Sequence, residues 1–344
     1  MQGLTGILVV DKDAGMTSHD VVGVVRKLFR TKRVGHTGTL DPDATGVLVL
    51  CLGNATRVAE YLSASRKHYV AEVVFGIETD TQDASGVPLA EQDASHLDES
   101  GVCALLAAFR GTILQVPPMV SARHHEGQRL YDLARQGITV EREARPVQID
   151  LLEMTAFEAG QHPVATLEIT CSTGTYIRSL AADLGIAAGT GGMMRSLRRT
   201  WVGEKVGEKA GEKVGGTVGE TAGATGEQGM DESDESASHP FSLQNAHTLT
   251  ELRELAQQER LLQVVQPLSV ALAAWPQVRL HAEQVAWIRH GRPLPLSEIA
   301  QEQCRHFDSS DGWGPIVLFD SEEEVVAIAS VRTGTLQPGK VFAQ

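Results

Sequence analysis

A glycine-rich, acidic segment interrupts the chain at residues 203–239, GEKVGEKAGEKVGGTVGETAGATGEQGMDESDESASH. It begins with a four-residue repeat and then decays into glycine, threonine, serine and acidic residues, with no aromatic residue. Such a segment has too little apolar surface to offset the entropy lost on ordering. The sequence therefore predicts a disordered insertion in a surface turn, and any folded domain must be built from the residues on its two sides.

The rest of the sequence is typical of a protein with a buried core, since the 344 residues are 42% hydrophobic and 22% charged. No apolar run approaches the roughly 18 residues that span a bilayer, and the start, MQGLTGILVVDKDAG, lacks the features of a signal peptide. We therefore expect a cytoplasmic protein with no membrane partner. The four cysteines are far apart in the sequence, which favours reduced core thiols over a zinc site.

The net charge of −14 argues at first sight against a polyanionic partner, but the charge is unevenly distributed. The segment 203–239 alone holds three lysines against nine acidic residues. Two basic clusters lie elsewhere in the chain, one formed by Arg26, Lys27, Arg30, Lys32 and Arg33 and one by Arg195, Arg198 and Arg199. These clusters indicate basic patches on a mildly acidic body, or else solvated helix faces.

Hydrophobic periodicity favours the α+β class, with a mixed, mostly antiparallel sheet and helices packed on it. The predicted strands cover 5–10, 45–52, 67–75, 144–157, 164–171 and 193–202. The predicted helices run from Thr17 or Ser18 to Phe29, from 56 to 62, near 98–109, from 173 to a stop at Gly185, and over 248–262, with a polar loop at 78–86.

The C-terminal sequence differs in pattern from the part before it. From about residue 276 it predicts one helix that ends at Gly291 and several short strands. We therefore predict two domains, a first of residues 1–275 that contains the insertion and a small β-rich second of residues 276–344.

The stretch GHTGTLDPDATG, residues 35–46, is the main candidate for a functional site. A phosphate-binding loop is excluded, because the chain has no GxxxxGK[ST] string. DPDAT, 41–45, matches the DxDxT pattern of Mg²⁺-dependent phosphatases, but there the first aspartate ends a strand, whereas here the motif precedes one. The third interpretation is a single carboxylate, Asp41, presented by a loop that Pro42 stiffens and glycines keep open.

A resemblance favours the third interpretation. GHTGTLDPDATG resembles the GHxGxLDPxAxG signature of the bacterial tRNA pseudouridine synthases of the TruB type. Further strings agree in order: GILVVDKDAGMTSHDVV, KHYVAEVVFGIETDTQDASG, VPPMVSARHHEGQRLYDLARQG, CSTGTYIRSLAADLG and SLRR. The resemblance covers residues 5 to about 202 and resumes at FSLQNAHTLTEL. It implies the pseudouridine synthase fold, followed by a small RNA-binding PUA-like domain.

The same resemblance implies an isomerase that converts the T-loop uridine of tRNA, uridine-55, to pseudouridine by flipping the base out of the loop. Asp41 would be the essential carboxylate, acting either as nucleophile at C1′ or as the base that removes a proton from C2′. Arg178 would pair with this aspartate. Tyr69 would stack on the target base, and its hydroxyl is a candidate to move the proton from C5.

The remaining site residues are also implied by the resemblance. Leu197 and Tyr176 would form pocket walls, and His36 would enter the T loop as the uridine flips out. Lys12 would lie beside the catalytic loop, either packing or contacting a phosphate. The reaction needs no cofactor and no metal, the partner would be the T-arm of tRNA, and we expect a monomer.

Three positions depart from the family pattern, with Asp13 in place of a proline, Val120 in place of a tyrosine and His124 in place of a lysine. Two alternatives remain open at this point. One is a noncatalytic protein that binds or folds tRNA, and the other is a Mg²⁺-dependent phosphatase that uses the DPDAT motif.

Overall fold

The computed structural model describes residues 4–121, 124–125, 127–129, 133, 136–138, 140–203, 241–304 and 312–342. Residues 204–240, nearly all of the segment for which the sequence predicts disorder in a surface turn, lie outside the described residues, as does the side chain of His124. The flanks of that segment are neighbours in the fold, because Val202 pairs with Phe241 in an antiparallel bridge.

Two sheets organise the structure, and most of their strands belong to the first. The strands in chain order are β1 Gly6–Lys12, β2 Val34–His36, β3 Thr45–Leu52, β4 Lys67–Phe75, β5 Ile77–Thr79, β6 Pro88–Glu91, β7 Gly111–Gln115, β8 His124–His125, β9 Gln128–Arg129, β10 Arg145–Glu158, β11 Val164–Cys171, β12 Gly192–Val202, β13 Phe241–Ser242, β14 His247–Thr248, β15 Gln277–Arg279, β16 Leu294–Pro295, β17 Ile316–Phe319, β18 Val325–Arg332 and β19 Thr335–Val341.

The helices lie mainly between these strands. In chain order they are α1 Ser18–Leu28, α2 Ala59–Ser63, α3 Glu99–Leu106, α4 Ile177–Ala187, α5 Leu249–Gln257, α6 Leu268–Ala271, α7 Ala282–Arg289 and α8 Gln301–Cys304. Within the part of the chain that the structure describes, no helix is long and apolar enough to cross a membrane.

The larger sheet has ten strands among the described residues, in the order β14-β1-β3-β12-β4-β11-β10-β7, with β2 beside β3 and β13 beside β12. The pairs β1–β14 and β3–β12 are parallel, and the other pairs in this sheet are antiparallel. This arrangement confirms the predicted α+β class with a mixed, mostly antiparallel sheet and flanking helices.

The two faces of the larger sheet have different partners. In β3, Leu48, Leu50 and Leu52 point into a core shared with α1, α3 and α4, whereas Val47, Val49 and Cys51 point to the opposite side. That opposite core also contains apolar residues of the C-terminal strands, Val317, Phe319, Ile328 and Phe342. Because side chains alternate across a strand, β3 is buried on both faces and reads as a continuous apolar run.

Helix α1 begins and ends where the sequence predicts. The Thr17 side chain accepts a hydrogen bond from the Asp20 backbone, and the Asp20 carboxylate in turn accepts one from the Thr17 backbone, which is a capping box. Val21, Val22 and Val25 lie on one stripe of the helix and are buried against the sheet, so this stripe anchors the helix. Its first residues and the loop before β3 therefore lie on the same side of the sheet.

Five local predictions are wrong at their bounds or in their type. The helix predicted over 248–262 ends at Gln257, and the helix predicted from 173 begins at Ile177. The helix predicted for 56–62 is a 3₁₀ turn, Gly53–Val58, followed by the short helix α2. The predicted loop 78–86 begins inside a strand, because β5 pairs with β6 to form a hairpin. Helix α4 does not stop at Gly185 but continues to Ala187, because Gly185 packs closely against Gly192 instead of ending the helix.

The cysteines are free where the structure describes their side chains. Cys51 and Cys171 are buried, as predicted, and burial raises their pKa to about 12 and about 11 respectively. Cys103 lies exposed on α3, so the prediction of a core thiol is wrong for this residue.

The second sheet has the order β15-β17-β18-β19-β16, with α7 packed on it. Gly291 follows α7 with φ +74°, which is why the helix ends near the predicted residue. The sheet begins at Gln277, but its residues also share the core behind β3. The boundary at residue 276 between two domains therefore stays a prediction.

Candidate active site

Asp41 lies in the loop between β2 and β3, and its carboxylate is held by Arg178. The Arg178 Nε donates to Asp41 Oδ2 at 3.0 Å and its Nη2 donates to Asp41 Oδ1 at 3.3 Å. The side chain of Asp41 is 38% exposed, whereas that of Arg178 is 4% exposed. The arginine therefore lies behind the carboxylate and leaves its other side open to solvent.

The loop that carries Asp41 is fixed from several directions. The Ser18 hydroxyl, at the start of α1, accepts from the Leu40 backbone at 2.9 Å and contacts the Leu40 carbonyl at 3.1 Å. At the other end, Gly46 has φ +98°, and a Cβ there would lie 2.1 Å from the Arg199 carbonyl oxygen. Glycine is therefore required where the loop enters β3.

Lys12 locks the loop to the N-terminal strand. It is fully buried, and its ammonium donates to the backbone carbonyls of Asp13 at 2.9 Å, Met16 at 2.7 Å and Pro42 at 2.8 Å. Burial lowers its pKa, and the carboxylates of Asp43, Asp13 and Asp41 oppose that effect. Three donors on three carbonyls support the packing role that the sequence left open for Lys12, because none of them remains for a phosphate.

Arg178 is itself held by more than Asp41. Its guanidinium donates to the carbonyls of Thr81 at 3.1 Å and Val120 at 2.7 Å, and its Nε lies 3.6 Å from Asp83 Oδ2. A buried arginine satisfied on all sides keeps a fixed orientation. The departure from tyrosine at Val120 does not affect this contact, which the backbone makes.

Asp83 is a site residue that the sequence analysis did not assign. Its Oδ1 accepts from the Thr81 hydroxyl at 2.7 Å and from the Ser85 hydroxyl at 2.6 Å, so the TDTQDASG turn is folded around this carboxylate. The turn also bridges to β12 through Asp83 and Met194. The signal that would have found it is the TDTQDASG string, which the resemblance already contains.

Tyr69 lies in β4, 7% exposed, directly opposite Arg199 of β12. Burial raises its pKa to about 12, while the charge of Arg199 and a hydrogen bond with that side chain act in the opposite direction. Because a guanidinium only donates, the phenol oxygen must accept this hydrogen bond. The Tyr69 hydroxyl keeps its own proton at neutral pH.

Arg199 is buried, so the cluster Arg195, Arg198 and Arg199 does not form a single exposed basic patch. Its Nε donates to the Val47 carbonyl at 2.7 Å and its Nη2 donates to the Gly38 carbonyl at 3.1 Å. Arg195 is paired with Glu72, whose pKa the hydrogen bonds from Arg195 and Ser196 lower to about 2. Arg198 is paired with Asp11 at 2.8 Å.

His36 ends β2 beside the Asp41 loop. Its Nδ1 is buried without a hydrogen-bond partner among the described residues. Burial lowers its pKa, and the positive charge of Arg199 acts in the same direction. The imidazole is therefore neutral at pH 7.

Tyr176 is the residue before α4, and its backbone rather than its ring has the clear structural role. The buried Gln115 side chain donates to the Tyr176 carbonyl at 3.0 Å and accepts from its N–H at 2.8 Å. This pair fixes the start of the helix that carries Arg178 two residues later.

An open cleft of about 1320 Å³ lies in front of these groups. Four of the predicted site residues line it, namely His36, Asp41, Arg178 and Leu197, together with Asp83, Ser121 and the start of α1. Besides burial, the charge of Asp41 contributes to the raised pKa of Tyr69, but the Tyr69 side chain belongs to the core behind the cleft lining. Lys12 and Tyr176 are also absent from the lining. The structure thus brings together the predicted residues in two layers, a lining and a support.

The geometry disfavours the phosphatase interpretation of DPDAT. Asp41 precedes β3 instead of ending a strand, and both of its oxygens already accept from Arg178, while Asp43 is exposed. Among the described residues, no three His, Cys, Asp or Glu side chains are arranged to hold a metal ion.

Comparison with known proteins identifies the family. The model of the TruB family pseudouridylate synthase N-terminal domain matches residues 26–177. The tRNA pseudouridine synthase B of Symbiobacterium thermophilum is 43% identical over 286 residues, which cover 83% of this chain and 82% of that protein. The one from Thermobifida fusca is 39% identical over 344 residues, 98% of this chain and 98% of that protein.

Solved structures share the fold. A Cbf5-Nop10-Gar1 complex matches with a TM-score of 0.68 and 24% identity, covering 98% of this chain and 85% of that one. An H/ACA RNP bound to a substrate RNA containing 2′-deoxyuridine matches with a TM-score of 0.65 and 22% identity, over the same shares of the two chains.

Proposed function

The chain belongs to the TruB family of pseudouridylate synthases, and on that premise we propose that it isomerises uridine-55 in the T loop of tRNA to pseudouridine, with Asp41 as the essential carboxylate. The observation that carries this proposal is the half-exposed carboxylate of Asp41 in the cleft wall, which accepts hydrogen bonds from the buried Arg178. The enzyme class is an isomerase, since the substrate and product contain the same atoms.

The reaction breaks the N1–C1′ glycosidic bond of uridine and joins C5 of the same uracil to C1′. Asp41 either attacks C1′ or removes the proton from C2′, and both steps need a carboxylate fixed beside the ribose. The bidentate contact with Arg178 holds the Asp41 oxygens in one plane and prevents the carboxylate from turning away. Asp83 and the two carbonyls hold Arg178 in turn.

The detached uracil must stay in the cleft while it turns. Leu197 supplies an apolar wall of the cleft. Tyr69, on the neighbouring strand, lies behind the lining, and its ring would contact the base once the bound RNA displaces the side chains in front of it. Stacking of a base on an aromatic ring contributes about 1–3 kcal/mol. The phenol, protonated at neutral pH, can accept the C5 proton only as it releases its own, so it relays a proton instead of storing one.

The target uridine has to leave the folded T loop before Asp41 can reach its ribose. The cleft volume of about 1320 Å³ is ample for one nucleotide and part of its neighbours. We place neutral His36 at the point where the uridine leaves the loop, with Lys12 and Tyr176 supporting the catalytic loop and Arg178. Neither a cofactor nor a metal enters this scheme, and we expect a monomer that acts on the T-arm in the cytoplasm.

The test is release of tritium from unmodified tRNA labelled with [5-³H]uridine, in the presence of EDTA. Wild type should release tritium, and Asp41→Asn should lose at least about 10⁴-fold in rate, as expected when an essential reacting group is removed. The matched control is Asp43→Asn, an exposed carboxylate two residues away in the same loop, which should stay within about 3-fold of wild type.

The outcomes separate the possibilities. If tRNA binds but neither wild type nor Asp43→Asn releases tritium, the chain is a noncatalytic tRNA-binding protein. Equal loss in both variants would remove the special role of Asp41. Mapping the modified nucleotide by mass spectrometry tests whether it is uridine-55.

A further inference from the structure

Five exposed cations surround the C-terminal end of α1, and we call them the α1 basic surface: Arg26, Lys27, Arg30, Lys32 and Arg33. Among the described residues none of them forms an ion pair. Arg26 and Arg33 each place one N–H on a neutral oxygen, the Val34 carbonyl at 3.0 Å and the Asn54 side chain at 3.1 Å.

Several other exposed or half-exposed cations of this acidic chain are paired with carboxylates, whereas Arg145, Arg253 and Arg332, which form no ion pair among the described residues, are far apart in the sequence. Arg195 pairs with Glu72, Arg279 with Glu323 and Lys340 with Glu60, each within 2.9 Å. In a chain with a net charge of −14, five adjacent cations without a carboxylate partner are a local positive field. That field is available for an external polyanion.

Two elements connect this surface to the active site. Helix α1 has His19 in the cleft lining and Lys27 eight residues later, about 12 Å along the helix axis. Strand β2 has His36 in the cleft lining and Arg33 just before its start, about 10 Å away. The surface therefore lies on the cleft side of the sheet, a short distance from Asp41.

The backbone at Arg30 supplies an independent observation. Arg30 follows α1 with φ +49°, the left-handed region in which glycine is strain-free and other residues are disfavoured by about 1–2 kcal/mol. A glycine would end the helix at lower cost. A cation kept at a strained position is easier to understand if it has a ligand to bind.

We propose that the α1 basic surface binds backbone phosphates of the substrate RNA roughly three to four nucleotides from the isomerised uridine. The 10–12 Å between the cleft lining and the surface corresponds to about three steps of a stacked strand, at roughly 3.4 Å per step. This inference rests on the proposed function for the identity of the RNA. It adds the register of that RNA on the enzyme, that is, which phosphates contact the α1 basic surface when the target uridine lies in the cleft.

The experiment measures RNA binding as a function of salt for wild type, Arg30→Gly and the double variant Lys32→Gln/Arg33→Gln, using unmodified tRNA. Each lost phosphate contact should reduce the slope of log K against log [salt] by about one. We expect a slope reduced by about one for Arg30→Gly and by about two for the double variant. The control is Lys340→Gln, which makes the same charge change at a paired lysine and should leave the slope unchanged.

Arg30→Gly separates binding from folding, because relief of the left-handed strain predicts an unfolding temperature no lower than that of wild type. Turnover at saturating tRNA should stay within about 2-fold of wild type for all three variants, since these residues lie outside the reacting centre. Unchanged salt slopes, or slopes lowered equally by Lys340→Gln, would overturn the proposal.

The register has its own readout. RNA fragments that carry the target uridine but lack the phosphates three or more nucleotides away should bind wild type and the double variant with equal affinity. Discrimination that persists with the shortest fragment would contradict the assigned register. If the variants show the predicted decreases in salt slope but wild type releases no tritium, the proposed function is wrong while the RNA-binding role of the α1 basic surface is supported.

Discussion

The buried guanidinium of Arg199 contacts the Gly38 and Val47 carbonyls of the Asp41 loop and the Tyr69 hydroxyl at once. Arg199→Lys keeps the charge but cannot make all three contacts, because an ammonium lacks the planar fork. We expect a single-turnover rate of pseudouridine formation lowered about 10- to 100-fold, with tRNA affinity little changed. In a Tyr69→Phe background the same substitution should cost less, because the two residues act through one hydrogen bond.

The control for Arg199→Lys is Arg110→Lys, which changes an arginine that donates to the Leu152 carbonyl away from the cleft. It should lower thermal stability without changing the rate. Losses in Arg199→Lys and Tyr69→Phe that simply multiply would show that the two residues act independently of each other.

His36 gives a pH dependence of stability. Its pKa is lowered in the folded protein, chiefly by burial, so the unfolded chain binds its proton first as the pH falls. The stabilising contribution of the neutral His36 to the free energy of unfolding is therefore lost as the pH falls from above 6.5 towards the lowered pKa of His36 in the folded protein. We expect His36→Gln to lose less unfolding free energy than wild type between about pH 7.5 and 5.5, measured by urea denaturation.

The exposed His96 provides the comparison, since His96→Gln removes a histidine that solvent surrounds. The change in unfolding free energy between the two pH values is compared for the two variants. If His36→Gln matched wild type, burial of the imidazole would have no energetic consequence.

The roles of the individual site residues could be predicted from the sequence to different extents. The resemblance anticipated that Arg178 pairs with Asp41, and the structure shows that contact. The resemblance did not reveal that Arg199 supports the Asp41 loop. Arg199 does so by donating to backbone carbonyls, and because every residue has a carbonyl, the sequence does not show which ones it contacts. The role of Asp83 could have been predicted from the sequence, since Asp83 lies in the TDTQDASG string that is part of the resemblance.

Gly185 illustrates the same limit at the level of an element. Glycine after an apolar helix normally predicts a stop, yet α4 continues to Ala187, and the left-handed glycine that follows it is Gly189, with φ +72°. Residue 185 is glycine for a packing reason, because a Cβ there would lie 2.1 Å from the Gly192 nitrogen. Gly185→Ala should therefore destabilise the protein by about 1–3 kcal/mol through overpacking, despite the better helix propensity of alanine. Chemical denaturation measures the change.

Gly23→Ala is the matched control within α1, where a new Cβ would have no heavy atom within 4 Å. Here propensity alone acts, and we expect a stabilisation of about 0.5–1 kcal/mol. Destabilisation by both substitutions to the same extent would contradict the packing explanation for Gly185.

Elements with a strong internal pattern were predictable to the residue. Strands β3 and β4 coincide with the predicted 45–52 and 67–75, because each is a long apolar or alternating run with polar flanks. The hairpin of β5 and β6 was missed because β6 is exposed and only four residues long, so its sequence lacks an apolar pattern.

At the scale of the whole molecule, the two sheets share the core behind β3. Phe319 of β17 is buried there with Val47 and Val49, whereas Leu336 of β19 is buried only within the C-terminal sheet. Phe319→Ala should cost about 3–5 kcal/mol and increase hydrogen exchange in β1 and β3. Leu336→Ala should cost about 2–5 kcal/mol with a smaller effect on those strands.

The comparison of the two variants tests the predicted boundary at residue 276. Equal exchange in β1 and β3 for Phe319→Ala and wild type would mean that the C-terminal sheet unfolds on its own, as separate domains do. Sequence patterns cannot decide this, because they mark where strands occur and not which sheet buries their outer faces.

The antiparallel pairing of Val202 with Phe241 means that the chain leaves and re-enters the sheet at adjacent points. Changing the number of residues between them moves neither strand, and each doubling of a flexible connection costs only about 0.6 kcal/mol. Replacing 203–239 by a turn of about two to four residues should leave turnover nearly unchanged, since a single residue could not close the antiparallel pair of Val202 and Phe241. A large loss with intact folding would contradict this. About 17 Å of β12 separates this point from Leu197 in the cleft lining. It is therefore an insertion site at which a purification tag or a fluorescent reporter would not reach the cleft.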